Sequence, residues 1–177
     1  VEAERNDLPP SMYHTTYFSC LKHILRADPA RGGLIPGGDG AIENRFHVHA
    51  GQYRHDDPRL TGGQRKDDTD VEVDIDHRNF LRFNDDVCIT VAEKSGAVLT
   101  PYEIPVHYLN NITFKEKAGR VIYSRPHKGP FTKEILSPNG SVIGSLGIEC
   151  PNEKCKKVWL TGTHVCLDCK RPMTHLA

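Results

Sequence analysis

Apolar and polar residues alternate most regularly at Val71-Glu72-Val73-Asp74-Ile75-Asp76, the period of a strand with one apolar and one acidic face. The alternation favours a solvated acidic face over a metal site. The same period runs through Arg45-Phe46-His47-Val48-His49-Ala50. There Phe46 and Val48 would pack, and Arg45, His47 and His49 would stand in a row on the other face. Two readings fit that row: solvated basic residues on an edge strand, or one wall of a local anion site. Glycine-rich segments bound it, from Gly32 to Gly40 before and Ala50-Gly51 after. Further strands are predicted at Met12–Thr16, at Val87–Ala92 and, across a turn at Glu93-Lys94-Ser95-Gly96, at Ala97–Thr100. Shorter pieces follow at 104–109, 112–114, 120–124 and 131–136, interrupted by Pro126, Pro130 and Pro138, with a turn at 137–141. One helix is predicted over Tyr17–Arg26, whose apolar positions 17, 18, 21, 24 and 25 share a face. Thr16 would cap it, Asp28-Pro29 would stop it, and His23 would sit inert on its solvated flank.

One helix and many short strands make an α+β domain. At 177 residues the chain can bury one good core, or a modest core and a small appendage. Lys+Arg and Asp+Glu balance at 23 each, so no global basic field points to nucleic acid and any anion site must be local. With 15 glycines and 12 prolines, short elements and many loops are expected. There is no apolar run long enough for a membrane span and no apolar leader at the N-terminus. The chain starts without an initiator Met, so it reads as a processed product or a piece of something larger.

Four of the six cysteines stand in one tail, with four residues between Cys150 and Cys155, ten more to Cys166, and two between Cys166 and Cys169. Two close pairs on tight turns can set four thiolates at the corners of a tetrahedron, the pattern of a zinc ribbon holding Zn²⁺. Lys154, Lys156, Lys157, Lys170 and Arg171 surround the pairs and favour thiolate over thiol. Lys157–Gly162 carries a short hairpin signal. Two alternatives stay open: a pair of disulfides, or His164 or His175 in place of one cysteine. Cys20 and Cys88 lie in apolar surroundings and read as buried free thiols. That fits an intracellular, reducing compartment, cytoplasm or nucleus.

Several short motifs, in order, resemble the NAD-dependent tRNA 2′-phosphotransferases. Tyr13-His14-Thr15-Thr16 is similar to that family's Y-H-G-T strand end. Gly33-Leu34 matches its G-L segment, and Arg45-Phe46-His47-Val48-His49 its R-x-H-V-H. Gly62-Gly63-Gln64-Arg65 ahead of Val71-Glu72-Val73-Asp74 follows its loop and strand. Ser95–Thr100 and Ile104–Leu109 are similar to its last two motifs. The match covers about residues 12–112.

The resemblance implies an ADP-ribosyltransferase-like split β-sheet with few short helices, whose cleft holds NAD as co-substrate. In that family the 2′-phosphate of RNA attacks C1″ of the nicotinamide ribose and expels nicotinamide. ADP-ribose 1″,2″-cyclic phosphate is released and the RNA keeps a 2′-OH. Such chemistry asks for placement and charge: an Arg fork for the phosphate, imidazole and hydroxyl groups for the ribose. Carried over, the resemblance implies catalytic roles for Arg45, His14 and His49. It implies NAD contacts from His14, Thr16, His47, Arg65 and Ser95. Glu93 lies where some protein-modifying ADP-ribosyltransferases keep a glutamate.

The expected organisation is an extended lead-in over 1–11, the transferase-like domain over 12–124, a linker or strand extension over 125–147, and the zinc ribbon over 148–177. Lys154, Lys156, Lys157, Lys170 and Arg171, with Trp159 as a stacking ring, would let the ribbon grip RNA. Three functions are weighed: transfer of an RNA phosphate, ADP-ribosylation of protein or nucleic-acid ends, and a non-catalytic RNA- or protein-binding subunit of a larger assembly. A two-histidine phosphoesterase is set aside, because His14-Thr15-Thr16 has no second H-x-T partner.

Overall fold

A computed structural model describes residues 8–26, 32–38, 45–64, 68–116, 120–126, 147–160 and 162–173. Arg65, His175, the Asp28-Pro29 stop, the strand expected over 131–136 and most of 125–147 lie outside the described residues.

The fold is mixed α+β, mostly short strands in antiparallel sheets. β1 (Tyr13–Thr16) is followed by a 3₁₀ turn at Phe18–Cys20 and α1 (Leu21–Ile24). Then come β2 (Val48–Ala50), β3 (Val71–Ile75), α2 (His77–Phe83), β4 (Thr90–Val91) and β5 (Val98–Thr100). After a 3₁₀ turn at Val106–Tyr108 follow β6 (Leu109–Phe114), β7 (Val121–Ser124), β8 (Gly147–Glu149) and β9 (Val158–Leu160). One sheet has the order β1-β3-β6-β7, a second β2-β5-β4, and β8 and β9 form a hairpin.

β3 lies at the centre because Val71, Val73 and Ile75 are all buried between β1 and β6. Its acidic face departs from expectation. Glu72 is 2% exposed, and its carboxylate accepts from the His55 amide at 2.6 Å and from His55 Nδ1 at 2.9 Å, with Arg54 Nε at 3.1 Å. The loop ahead of β3 folds back and covers this face, which strand alternation does not reveal. Asp74, also drawn in, has its carboxyl raised, chiefly by burial.

α2 is a second helix where the sequence pattern shows only one. Asp76 caps it, accepting from the Asn79 amide at 3.2 Å, and Phe80 packs beneath against Tyr108. Seven residues span two turns, too few for a 3.6-residue period to stand out, so the cap was the available signal. The first helix is also shorter than its apolar pattern. Its entry is fixed by Asp70, which accepts from the Phe18 amide at 2.6 Å, and not by Thr16. Residues 87–89 are not strand, and the 104–109 segment becomes a bridge at Ile104 and a 3₁₀ turn.

The cysteine-rich unit packs onto the main sheet. His164 N donates to the Ile122 carbonyl at 2.7 Å and Ser124 N to Gly162 at 3.0 Å, while Trp159 bridges Arg26. Trp159, Leu160, Val165, Cys166 and Met173 belong to the same core cluster as Leu25, Ile112 and Ile122. Cys20 and Cys88 are free, and half-buried instead of buried.

Two predictions concern this scaffold. His107 is 4% exposed, and burial, with Arg125 adding to it, pushes its imidazole down to about 4. The unfolded chain takes up a proton near the ordinary histidine value of about 6.5 while the folded protein does not. Stability is therefore full above that value and falls as the pH drops toward about 4, by on the order of 3 kcal/mol from this group. His77, also lowered by burial, adds to the trend. Urea midpoints from pH 7.5 to 4.5 should decline, and His107→Gln should flatten the curve. Gly63, at φ +86°, lies against β2, where an added Cβ would meet the Ala50 carbonyl. Gly63→Ala is expected to cost more than about 1 kcal/mol, measured the same way; a neutral result would show that this loop is not fastened to β2.

Candidate functional site

The two larger sheets meet at one antiparallel rung. Tyr13 N donates to the Gly51 carbonyl at 2.9 Å and Gly51 N to Tyr13 at 2.7 Å. Two residues on, a continuing ladder would bring Thr15 opposite His49. Instead β1 pairs with β3 and β2 with β5, and His14 Nδ1 donates to the His49 carbonyl at 2.7 Å. A side chain thus spans the split where the backbone rungs stop. With Nδ1–H committed, a neutral His14 carries its lone pair on Nε2.

Beside this split lies a cleft of about 500 Å³. His14, Thr16, Arg45, His47 and His49 all line it. The His47 and His49 rings stand edge to face, 6.4 Å apart. Burial lowers the His49 imidazole from its usual value, and the charges of His47 and Arg45 lower it further. Arg45, His47 and His49 are exposed while Val48 and Ala50 are buried, as a half-buried strand requires. Phe46 does not follow that alternation. It is 70% exposed, because the regular strand starts only at Val48.

The opposite wall comes from α1 and the glycine loop. Gly33 N donates to the Ile24 carbonyl at 2.9 Å, and Leu34 and Ile104 exchange both backbone hydrogen bonds at 2.9 Å. At φ +114°, Gly33 presses on the Ile104 carbonyl so closely that a Cβ would collide with it. This wall brings in His23, which the helical pattern had left in solvent, and Arg26, to which the sequence reading gave no role. Only the packing of α1 beside the split could reveal them. Among the described residues lining the cleft there are two arginines and four histidines and no carboxylate.

Two expected residues are not gathered there. Ser95 is in the β4–β5 turn, where its carbonyl accepts from Thr61 Oγ1 at 2.7 Å, and it is not in the cleft lining. Glu93 is exposed in the same turn and outside the lining as well. Arg65 lies outside the described residues.

The second centre is the cysteine cluster. One ligand sulfur from each of Cys150, Cys155, Cys166 and Cys169 lies within 4.8 Å of the others. Cys150 and Cys169 sulfurs are 3.5 Å apart, Cys155 and Cys166 sulfurs 3.7 Å. A tetrahedron of thiolates with metal–sulfur bonds of about 2.3 Å sets its corners about 3.8 Å apart, so this donor set fits an ion such as zinc. All four cysteines are free, and their separations rule out the disulfide alternative in this structure. Each pair is closed by a left-handed lysine just after its second cysteine, Lys156 at φ 51° and Lys170 at φ 59°. The Trp159 indole donates to Cys166 Sγ at 3.4 Å. Burial opposes ionisation of Cys166, but the Cys169 amide and the Trp159 indole among others hold its thiol down to about 6. Trp159 is only 7% exposed, so it supports the cluster and is no stacking platform for a base. Two of the surrounding lysines are paired, Lys157 with Asp168 at 3.0 Å and Lys156 with Glu149 at 3.7 Å.

Among the described residues, no helix is long and apolar enough to cross a membrane. A comparison with protein-family models gives no match, and a comparison with curated protein sequences gives none either.

Proposed function

We propose that this protein is an NAD-dependent transferase that moves a 2′-phosphate from RNA to the ADP-ribose of NAD, with release of nicotinamide. The observation that carries the reading is the charge of the cleft. A chain of zero net charge lines one hollow with Arg45, Arg26 and four histidines and, among the described residues, no carboxylate. Such a hollow suits an anionic ligand, and about 500 Å³ suits one of dinucleotide size.

Each side chain has a task within this reading. The Arg45 fork holds the RNA phosphate in line with the ribose carbon it attacks. His14, its ring set by the His49 carbonyl, and Thr16 contact the ribose and amide of NAD. His47 and His49 flank the phosphate and steady the charge that moves through the transition state. A phosphate oxygen bonds to C1″ as the C1″–nitrogen bond breaks, its electron pair going to nicotinamide, which leaves neutral. The ribose 2″-hydroxyl then attacks the phosphorus, and the RNA 2′-oxygen leaves and takes up the proton that the hydroxyl gives up. The RNA thus ends with a 2′-OH and ADP-ribose with the cyclic phosphate. Zn²⁺ at Cys150, Cys155, Cys166 and Cys169 is structural in this proposal, since four thiolates leave it no open position. The free thiols suit a reducing intracellular compartment.

The test is incubation with NAD labelled in the ADP-ribose part, with and without an RNA bearing a 2′-phosphate. Labelled ADP-ribose cyclic phosphate that depends on the RNA is the expected product. Label on protein or on an RNA end would replace this reading with ADP-ribosylation. No binding of NAD by calorimetry would leave the non-catalytic alternative, an RNA- or protein-binding subunit of a larger assembly.

A further inference from the structure

Arg26 and His23 border the cleft on the α1 side, yet the reaction above gives them no task. Arg26 Nη2 donates to His23 Nδ1 at 2.9 Å. A ring that accepts at Nδ1 carries its proton on Nε2, so the pair presents an oriented guanidinium fork and an imidazole N–H. The backbone beneath is also held: Arg26 bridges Trp159, and Leu160 N donates to the Leu25 carbonyl at 3.4 Å. Trp159 in turn donates to Cys166, one of the four clustered thiols. A long side chain held at both ends has lost part of its freedom before any ligand arrives, which favours binding.

We propose that Arg26, oriented by His23, is a second anion subsite of this cleft and takes the diphosphate of a dinucleotide. The inference rests on the reading that the cleft binds NAD. Two arginines on separate elements, Arg45 ahead of β2 and Arg26 after α1, suit a pair of anions held at once. One is the phosphate of the RNA; the other is the diphosphate that joins the two halves of NAD. A planar fork matches two phosphoryl oxygens better than a point charge does.

The experiment is calorimetric titration of the zinc-loaded chain with ADP-ribose, which carries the diphosphate but no nicotinamide. Arg26→Gln is expected to weaken binding about tenfold or more. Arg26→Lys should recover only part of it, and His23→Ala should weaken it a few-fold, with Trp159 emission unchanged in each. Arg45→Ala should alter ADP-ribose affinity much less than Arg26→Gln does. Should Arg26→Gln perturb the fold, Arg26→Lys and His23→Ala carry the test. If the wild-type chain binds ADP-ribose and the folded variants bind it equally well, the subsite is overturned while the NAD reading stands. If the wild-type chain binds no ADP-ribose, the NAD reading falls and this inference falls with it.

Discussion

Arg45→Ala is expected to lower 2′-phosphate transfer at least about a hundredfold, or about 3 kcal/mol of transition-state stabilisation. Arg45 is exposed at the edge of the cleft and outside the core, so its loss should leave stability within about 0.5 kcal/mol. The two outcomes together separate a site residue from a structural one. Arg45→Lys keeps the charge and loses the two-pronged geometry, and should fall between wild type and alanine. Losing Arg45 also removes one of the charges that hold the His49 imidazole low, so the pH–rate profile should shift toward higher pH on its acidic side. An unchanged rate for Arg45→Ala would take this residue out of the mechanism.

Removing the metal is expected to have the largest effect on the fold. Purified protein should carry one zinc per chain. Binding of zinc by four thiolates supplies on the order of 10 kcal/mol, as much as the whole stability of a typical domain. Chelation should first release the β8–β9 unit, whose own hairpin is too small to persist alone. The damage should then spread, because Trp159 and Leu160 are continuous with Leu25 and the α1 wall of the cleft. The chain has a single tryptophan, and its indole touches Cys166, so emission from Trp159 reports directly on this centre. A red shift on chelation, reversed by added zinc and accompanied by weaker ADP-ribose binding, is the expected result. Cys155→Ser should mimic it. Metal analysis finding no zinc, with emission indifferent to chelator, would refute the assignment.

Neither centre was equally legible in the amino-acid order. The cysteine spacing alone placed Cys150, Cys155, Cys166 and Cys169 around one point, because two short turns leave four sulfurs few other places to go. The central strand was equally plain, since Val71, Val73 and Ile75 follow a two-residue period that only a strand satisfies. β1, β5 and the turn at Glu93–Gly96 were readable for the same local reasons.

Long-range packing settled the rest. Glu72 reads as solvated and is buried, since Arg54 and His55 reach it from a loop 17 residues away. Trp159 reads as a surface ring and is buried, its indole turned onto Cys166 and its backbone bridged to Arg26 after α1. His23 reads as a solvated flank and borders the cleft with Arg26, because α1 packs beside the place where two sheets part after a single rung. Local order along the chain reflects backbone period and the reach of neighbouring ligands, and those are written into adjacent residues. Which charged side chains share one hollow depends on where the strands stop pairing, and no stretch of sequence carries that information until the whole core has closed.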